Sequence, residues 1–216
     1  MAADQAAGLR RRRGRQPLRC IHCFFDSVES TRNLARALHR RGWTSLLVDP
    51  LGRACADAPA RSLFDWRQQL ARGQLHTVPL PCCDGWHAPG VRADEPGLGD
   101  VAQNYDCLVF DADANAPEWA PMPGAAQTLV IEANAAHASL LRAYALIKTL
   151  ARLPGASGNV VLLGDAAACD RLRAACERFL DPSFGPCIHS VAHEDDAFSA
   201  LAVRMADAEI ESRDPS

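Results

Sequence analysis

The stretch from Arg19 to Arg53 most constrains what this chain can fold into, because it reads as strand, turn, helix and strand in succession. Residues 20–24 form a short apolar run of strand-forming residues. A helix with apolar residues at three- and four-residue spacing follows, and it ends at Gly42. A second apolar run closes with Asp49. Two buried strands joined by one helix make a βαβ unit, so we expect the strands to be parallel and the crossover right-handed.

The turn between the first strand and the helix carries carboxylates at a position suited to anions. A helix N-terminus offers free N–H groups and a partial positive charge to a phosphate. Residues 25–31 contain no glycine and no lysine, but they do contain Asp26 and Glu29. The spacing of these two residues is that of a capping box, with Asp26 as the N-cap and Glu29 as the third helical residue. A like charge about 4 Å from a phosphate costs on the order of 4 kcal/mol at an effective dielectric constant of about 20, so the turn predicts that nucleotide is excluded.

Apolar runs and helical periodicities alternate along the rest of the chain. We expect further strands at residues 106–111, 128–132, 159–163 and 186–191, and helices at residues 138–150, 165–180 and 197–210. This alternation predicts a doubly wound, mainly parallel α/β sheet with helices on both faces.

The segment between the two halves of this pattern is harder to assign. A helix that begins at Ser62 places Trp66 and Leu70 on one face, which indicates either core or a dimer surface. Residues 75–80 are a weak strand candidate, because a proline interrupts them. Residues 81–99 read as a loop that is too long to be only a connection.

The composition fits one globular domain. The 216 residues carry a net charge of −3, and 48% of them are hydrophobic. We expect a basic N-terminal arm at residues 1–18, an α/β domain at residues 19–211 and a tail at residues 212–216. The arginines of the arm fit a solvated segment and a partner-binding segment equally well. The mildly acidic body gives no strong nucleic-acid signal.

The cysteines and the two terminal segments of the sequence predict a cytoplasmic protein. Nine cysteines is an odd count, and several lie in strand-like runs, which indicates reduced thiols. Cys20 and Cys23 are three residues apart on a predicted strand and point to opposite faces, so they cannot share a metal ion. Cys82 and Cys83 with His87 lack a second pair of ligands, and we expect no metal site. No apolar segment follows the N-terminal arginines and the last helix has an acidic tail, so we expect neither a signal peptide nor a membrane anchor.

Three stretches of the sequence carry a family resemblance. Residues 4–10 read DQAAGLR, residues 105–111 read YDCLVFD and residues 139–148 read SLLRAYALIK. They resemble the N-terminal motif, the Walker-B-like strand and a helical segment of the FlhG/FleN branch of the MinD/ParA-type P-loop family, whose members regulate flagellar number. The resemblance implies the P-loop NTPase-like fold of that family.

The resemblance also implies a binding role for the N-terminal arm. In the family this element is taken to contact FlhF, a GTPase of the signal-recognition type, and to stimulate its GTP hydrolysis. Carried over to this sequence, the partner-binding residues are Asp4, Gln5, Leu9 and Arg10, with Gln5 as the key residue. A glutamine can orient a water at a γ-phosphate, and an arginine can stabilise the transferred charge. A homodimer or another flagellar regulatory protein stays open as a further partner.

The same resemblance implies that the nucleotide site is vestigial. The two loop lysines of the family fall on Phe25 and Ser30, and its glycines fall on acidic or hydroxyl residues. Thr31, the hydroxyl beside Mg²⁺ in the family, is retained with the strand-end residues Asp49 and Asp111. The residues of the vestigial site are Asp26, Glu29, Ser30, Thr31, Asp49 and Asp111.

One main hypothesis and two alternatives follow. The main hypothesis is a regulator of flagellar biosynthesis and placement that binds an FlhF-like GTPase through its arm, with ATP binding lost, no cofactor and no catalytic residues. The first alternative is an active MinD/ParA-type ATPase that holds Mg·ATP through Thr31, Asp49 and Asp111 without a loop lysine. The second is a DNA-associated ParA-like protein that uses its arginine arm, which the acidic body disfavours.

Overall fold

One sheet of eight strands runs through the part of the chain that the computed structural model describes, which is residues 18–55, 62–74, 76–115, 119–152, 159–180, 187–192 and 197–211. In chain order the strands are β1 (Arg19–Phe24), β2 (Ser45–Asp49), β3 (Val78–Pro79), β4 (Asp84–His87), β5 (Cys107–Asp111), β6 (Ala126–Ala133), β7 (Asn159–Gly164) and β8 (Ile188–Ala192). They lie side by side in the order β3-β4-β2-β5-β1-β6-β7-β8. Every neighbouring pair is parallel except β3 with β4.

Helices cover both faces of this sheet. The described helices are α1 (Val28–Arg40), α2 (Leu63–Ala71), α3 (Leu98–Ala102), α4 (His137–Leu150), α5 (Ala166–Phe179) and α6 (Ala197–Glu211). Apolar residues of α1 and α6 pack on one face, and those of α2, α3, α4 and α5 pack on the other. The doubly wound, mainly parallel α/β class predicted from the sequence is therefore confirmed. None of the helices in the described part of the chain is long and apolar enough to cross a bilayer.

The central strand β1 shows why the apolar runs are continuous rather than alternating. All six of its residues are buried, because helices lie on both sides of the sheet. Ile21 and Cys23 join the core beneath α1 and α6, whereas Cys20 joins the core beneath α2 and α3. Cys20 and Cys23 thus lie on opposite faces, as the strand period of two predicts.

The segment at residues 81–99 is not only a loop, and that expectation was wrong. Asp84–His87 forms β4, which pairs in parallel with β2, and α3 begins at Leu98. The apolar pattern of the sequence did not predict this strand, because β4 has only four residues, including a glycine and two polar residues. Its anchor is Trp86, which is buried and packs against Trp66 of α2 with a centroid distance of 6.0 Å. The expected core face of α2 is confirmed by the burial of Trp66 and Leu70.

A buried histidine lies in the middle of the sheet. His22 on β1 is 2% exposed. Its ring stacks on Phe110 of β5 at 5.5 Å and meets the ring of Trp119 edge-on at 6.3 Å. Burial in this aromatic pocket disfavours the charged imidazolium and lowers the pKa of His22 from 6.5 to about 4. The folded protein therefore holds this side chain neutral at pH values where the unfolded chain protonates it.

We predict that His22 makes the fold sensitive to mild acid. Above pH 6.5 the ring is neutral in both states, and stability falls as the pH drops from 6.5 to about 4, because in that range the unfolded state binds a proton that the folded state does not. The difference amounts to about 3 kcal/mol of unfolding free energy. His22→Leu is expected to flatten the stability curve between pH 7 and pH 4 in urea unfolding experiments, whereas His39→Gln, at an exposed helix position, leaves it unchanged. An unaltered slope in His22→Leu would contradict the prediction.

Candidate functional site

Four neighbouring strands end at one edge of the sheet, and this edge carries the predicted nucleotide-site residues. The strand order β2-β5-β1-β6 brings together Asp49 at the end of β2, Asp111 at the end of β5, the turn after β1, and Glu132 near the end of β6. Open α/β sheets bind their ligands in the crevice outside the carboxyl ends of the strands. We call this region, together with the start of α1, the carboxyl edge.

The start of α1 is capped by Ser27 and not by the predicted capping box. The Ser27 backbone is extended, and its Oγ accepts a hydrogen bond from the Glu29 N–H at 3.1 Å. Ser27 directly precedes Val28, the first helical residue, and therefore holds the N-cap position, whereas Asp26 lies one residue too early to cap the Glu29 N–H. The Asp26 carboxylate instead accepts a hydrogen bond from Arg142 of α4 at 2.6 Å. The expectation that Asp26 and Glu29 cap the helix together was wrong.

Glu29 faces a different part of the surface from the other candidate residues. Its carboxylate lies 3.9 Å from Arg32 and 3.4 Å from Arg36, on the following turns of α1. These three side chains and residues 80–83 line a groove of about 230 Å³. Glu29 therefore contributes negative charge near the helix start, but the structure does not bring its carboxylate to the strand-end aspartates.

A third carboxylate, which the sequence analysis missed, occupies the helix start. Glu132 of β6 accepts a hydrogen bond from the Asp26 N–H at 3.2 Å and another from the Ser30 hydroxyl at 3.3 Å. Backbone N–H groups at such a turn are the donors that would otherwise bind a phosphate. The chain thus places one of its own anions at the anion-binding position. The only sequence signal for it is a charged residue inside the apolar run of β6.

The two strand-end aspartates are fully buried and heavily hydrogen-bonded. Asp49 and Asp111 are both 0% exposed. Backbone N–H groups of Arg53, Ala54 and Cys55 donate to the Asp49 carboxylate at 3.0, 2.7 and 2.8 Å. These hydrogen bonds hold the loop that follows β2 against the Asp49 carboxylate.

Asp111 is bound by an arginine that the sequence analysis also missed. The guanidinium of Arg53 donates from Nε to Asp111 Oδ2 at 2.8 Å and from Nη2 to Asp111 Oδ1 at 2.7 Å. The Thr31 hydroxyl donates to Oδ1 of the same carboxylate at 2.9 Å, and Nη1 of Arg53 lies 3.3 Å from the Phe25 carbonyl oxygen. These hydrogen bonds with Asp111 raise the pKa of Arg53 above its ordinary value. The result is a bidentate ion pair against a buried carboxylate.

The loop between β2 and Arg53 positions this guanidinium. Gly52 has a φ of +72°, in the left-handed region that favours glycine. The His87 ring lies against it, since Nδ1 of His87 is 2.7 Å from the Asp49 carbonyl oxygen. A Cβ added at Gly52 would lie 2.9 Å from Cε1 of that ring. Both the backbone angle and the close ring therefore require glycine here.

Comparison with solved structures identifies the architecture. A ParA family ATPase from Chlorobium tepidum TLS aligns with a TM-score of 0.56 and 17% identity, over 86% of this chain and 92% of that one. The cell division protein MinD from Aquifex aeolicus aligns with a TM-score of 0.52 and 14% identity, over 84% of this chain and 86% of that one. The chain has the fold of the ParA/MinD ATPases. No protein-family model and no curated protein matches its sequence.

The ParA/MinD fold implies a Mg·ATP site at the carboxyl edge, but the residues present here do not fit that group. Mg²⁺ needs free oxygen ligands, and both oxygens of Asp111 are engaged by Arg53. Asp49 is engaged by three backbone N–H groups. A triphosphate at the helix start would also meet Glu132. The structure thus brings five of the predicted residues to one edge of the sheet, where their polar groups are hydrogen-bonded to other groups of the same chain. These residues are Asp26, Ser30, Thr31, Asp49 and Asp111.

The partner-binding residues expected from the family resemblance lie outside the described part of the chain. These are Asp4, Gln5, Leu9 and Arg10.

We predict that Gly52→Ala destabilises the protein through the His87 contact. A positive φ alone costs an L-residue about 1 kcal/mol, and the clash with the ring adds about 1–3 kcal/mol. Gly42→Ala is the matched control, because Gly42 has a φ of +80° but a Cβ there would have no neighbour within 4 Å. Chemical unfolding is expected to give a larger loss for Gly52→Ala than for Gly42→Ala.

The excess loss belongs to His87 if it disappears when Gly52→Ala is measured in a His87→Ala background. Equal losses for the two glycine variants in the native background would show that the ring contact carries no energy.

Proposed function

We propose that this protein regulates flagellar biosynthesis in the manner of FlhG, by binding an FlhF-like GTPase through its N-terminal arm and stimulating GTP hydrolysis. The motif at residues 4–10 supports the partner and the mode of binding. The observation that carries the proposal is the Arg53–Asp111 ion pair, because it engages the strand-end carboxylate that a Mg·ATP switch would need. The protein then acts without an ATP cycle, as a folded body attached to a binding arm.

The chemistry of the arm suits a GTPase activator. Gln5 can orient the attacking water at the γ-phosphate of the partner's GTP, and Arg10 can stabilise the charge that develops on the transferred phosphoryl group. Leu9 and Arg10 supply docking contacts, and Asp4 completes the set of partner-binding residues. Neither role requires a nucleotide on this chain.

We predict that the whole protein raises GTP turnover of an FlhF-like GTPase and that Gln5→Ala lowers this stimulation by about tenfold or more. Arg13→Ala, in the same arm but outside the motif, is the matched control and is expected to retain stimulation. The measurement is phosphate release at saturating GTP with a titration of each variant. No rise in turnover, or an equal rise with Gln5→Ala, would refute the proposal.

An ATPase of the ParA/MinD type is the second candidate. Its support is the retained pair of Thr31 and Asp111. The Thr31 hydroxyl lies in the first turn of α1, 2.9 Å from the Asp111 carboxylate. It requires Arg53 to leave Asp111, and Glu132 to leave the Asp26 N–H, when Mg·ATP arrives.

We predict that calorimetric titration of the wild-type protein with Mg·ATP gives no binding tighter than about 1 mM. One close carboxylate costs on the order of 4 kcal/mol against a phosphate, which is roughly a thousandfold in affinity. Glu132→Gln removes one such charge and provides a comparison in which the helix-start geometry is kept. Micromolar binding by the wild type would overturn the loss of ATP binding and favour the ATPase.

A further inference from the structure

The positively charged side chain of Arg53 lies among oxygen atoms at the carboxyl edge. The guanidinium of Arg53 meets Asp111 with two hydrogen bonds of 2.8 and 2.7 Å and approaches the Phe25 carbonyl oxygen at 3.3 Å. Around the same position lies the Thr31 hydroxyl oxygen, 2.9 Å from Asp111. Carboxylate, carbonyl and hydroxyl oxygens are the ligands that hard divalent cations prefer.

Removing a carboxylate from water is costly unless an opposite charge compensates for it, and Arg53 supplies that charge to Asp111. Asp111 is 0% exposed, and Asp49, also 0% exposed, adds a second negative charge at the same edge. Asp49 finds its compensation in backbone N–H groups, which carry no net charge. Arg53 is the cation with a salt bridge to Asp111 among the described residues.

The position of Arg53 is set by the backbone and does not depend on its side chain alone. Its own N–H donates to Asp49 at 3.0 Å, and the N–H groups of Ala54 and Cys55 hold the same carboxylate. Gly52 makes the turn that precedes it. The backbone at Arg53 is therefore held in place by Asp49, which leaves only the side chain to be ordered by Asp111.

We infer that Arg53 is a tethered counter-ion, which keeps the carboxyl edge in one fixed arrangement in place of a hard divalent cation at Asp111 and Thr31. The inference rests on the proposed loss of Mg·ATP binding and states how the edge stays ordered without it. It makes Asp111 and Thr31 a latent cation site that opens when the guanidinium is removed.

The test is thermal unfolding of Arg53→Met with and without a divalent cation. Methionine keeps much of the volume but leaves Asp111 without a counter-charge, so the unfolding midpoint is expected to fall by about 6–15 °C. Addition of about 10 mM MgCl₂ is expected to raise the midpoint of Arg53→Met by about 3 °C, whereas the wild type does not respond. The double variant Arg53→Met with Asp111→Asn is expected to lose the response to Mg²⁺.

A matched control exists elsewhere in the chain. Arg67 donates to Glu95 from Nε at 3.1 Å and from Nη2 at 3.0 Å, and the Glu95 side chain is 5% exposed. Arg67→Met therefore breaks a comparable bidentate pair away from the carboxyl edge. It is expected to lower the unfolding midpoint without creating a response to Mg²⁺.

Each outcome decides the inference. A folded Arg53→Met that does not respond to Mg²⁺, or responds no more than Arg67→Met, would overturn it. If Arg53→Met does not fold, the added Asp111→Asn change must restore folding, and failure to do so would assign Arg53 a packing role instead. Binding of Mg·ATP by the wild type is a separate result, which would overturn the proposed function but would leave the Mg²⁺ response of Arg53→Met to be judged by itself.

Discussion

The carboxyl edge of this sheet depends on the compensation of one buried negative charge. Asp111 ends β5 out of contact with solvent, and an ionised carboxylate buried alone costs several kcal/mol. Arg53 supplies the opposite charge with two directed N–H groups, and Thr31 supplies a third donor. Arg53 comes from the loop after β2 and Thr31 from α1. The Asp111 carboxylate therefore links a strand, a loop and a helix through one ion pair and one hydrogen bond.

Two other carboxylates of the edge, those of Asp49 and Glu132, accept hydrogen bonds from neutral donors. Asp49 accepts three backbone N–H groups, and Glu132 accepts the Asp26 N–H and the Ser30 hydroxyl. Hydrogen bonds to a carboxylate are shorter and stronger than those between neutral groups. Every donor used in this way is withdrawn from a ligand. A triphosphate would have to break these contacts before it gained any of its own, which makes the edge a poor receptor for anions.

The architecture could be predicted from the sequence, because local patterns determine it, whereas the contacts of the edge could not. Continuous apolar runs and helical spacing predicted the parallel sheet, and β4 escaped because four residues with a glycine carry no such pattern. The predicted N-cap, Asp26, was one residue away from the observed N-cap, Ser27. Aspartate and serine are both good caps, and only the geometry of the turn separates them. Glu132 and Arg53 act on residues 106 and 58 positions away in the chain, and such pairings leave no local signal.

A nucleotide switch needs two arrangements of the same edge that differ in affinity for the ligand. If the proposed function holds, the Arg53–Asp111 ion pair keeps the edge in one arrangement, and a nucleotide has no second state to select. Under the proposed function the binding motif at residues 4–10 is attached to a body that does not change with bound nucleotide. The Arg53–Asp111 pair stabilises that body at any nucleotide concentration. Stimulation of the partner would then depend on the amount of this protein and on the arm itself, and not on the ATP level of the cell.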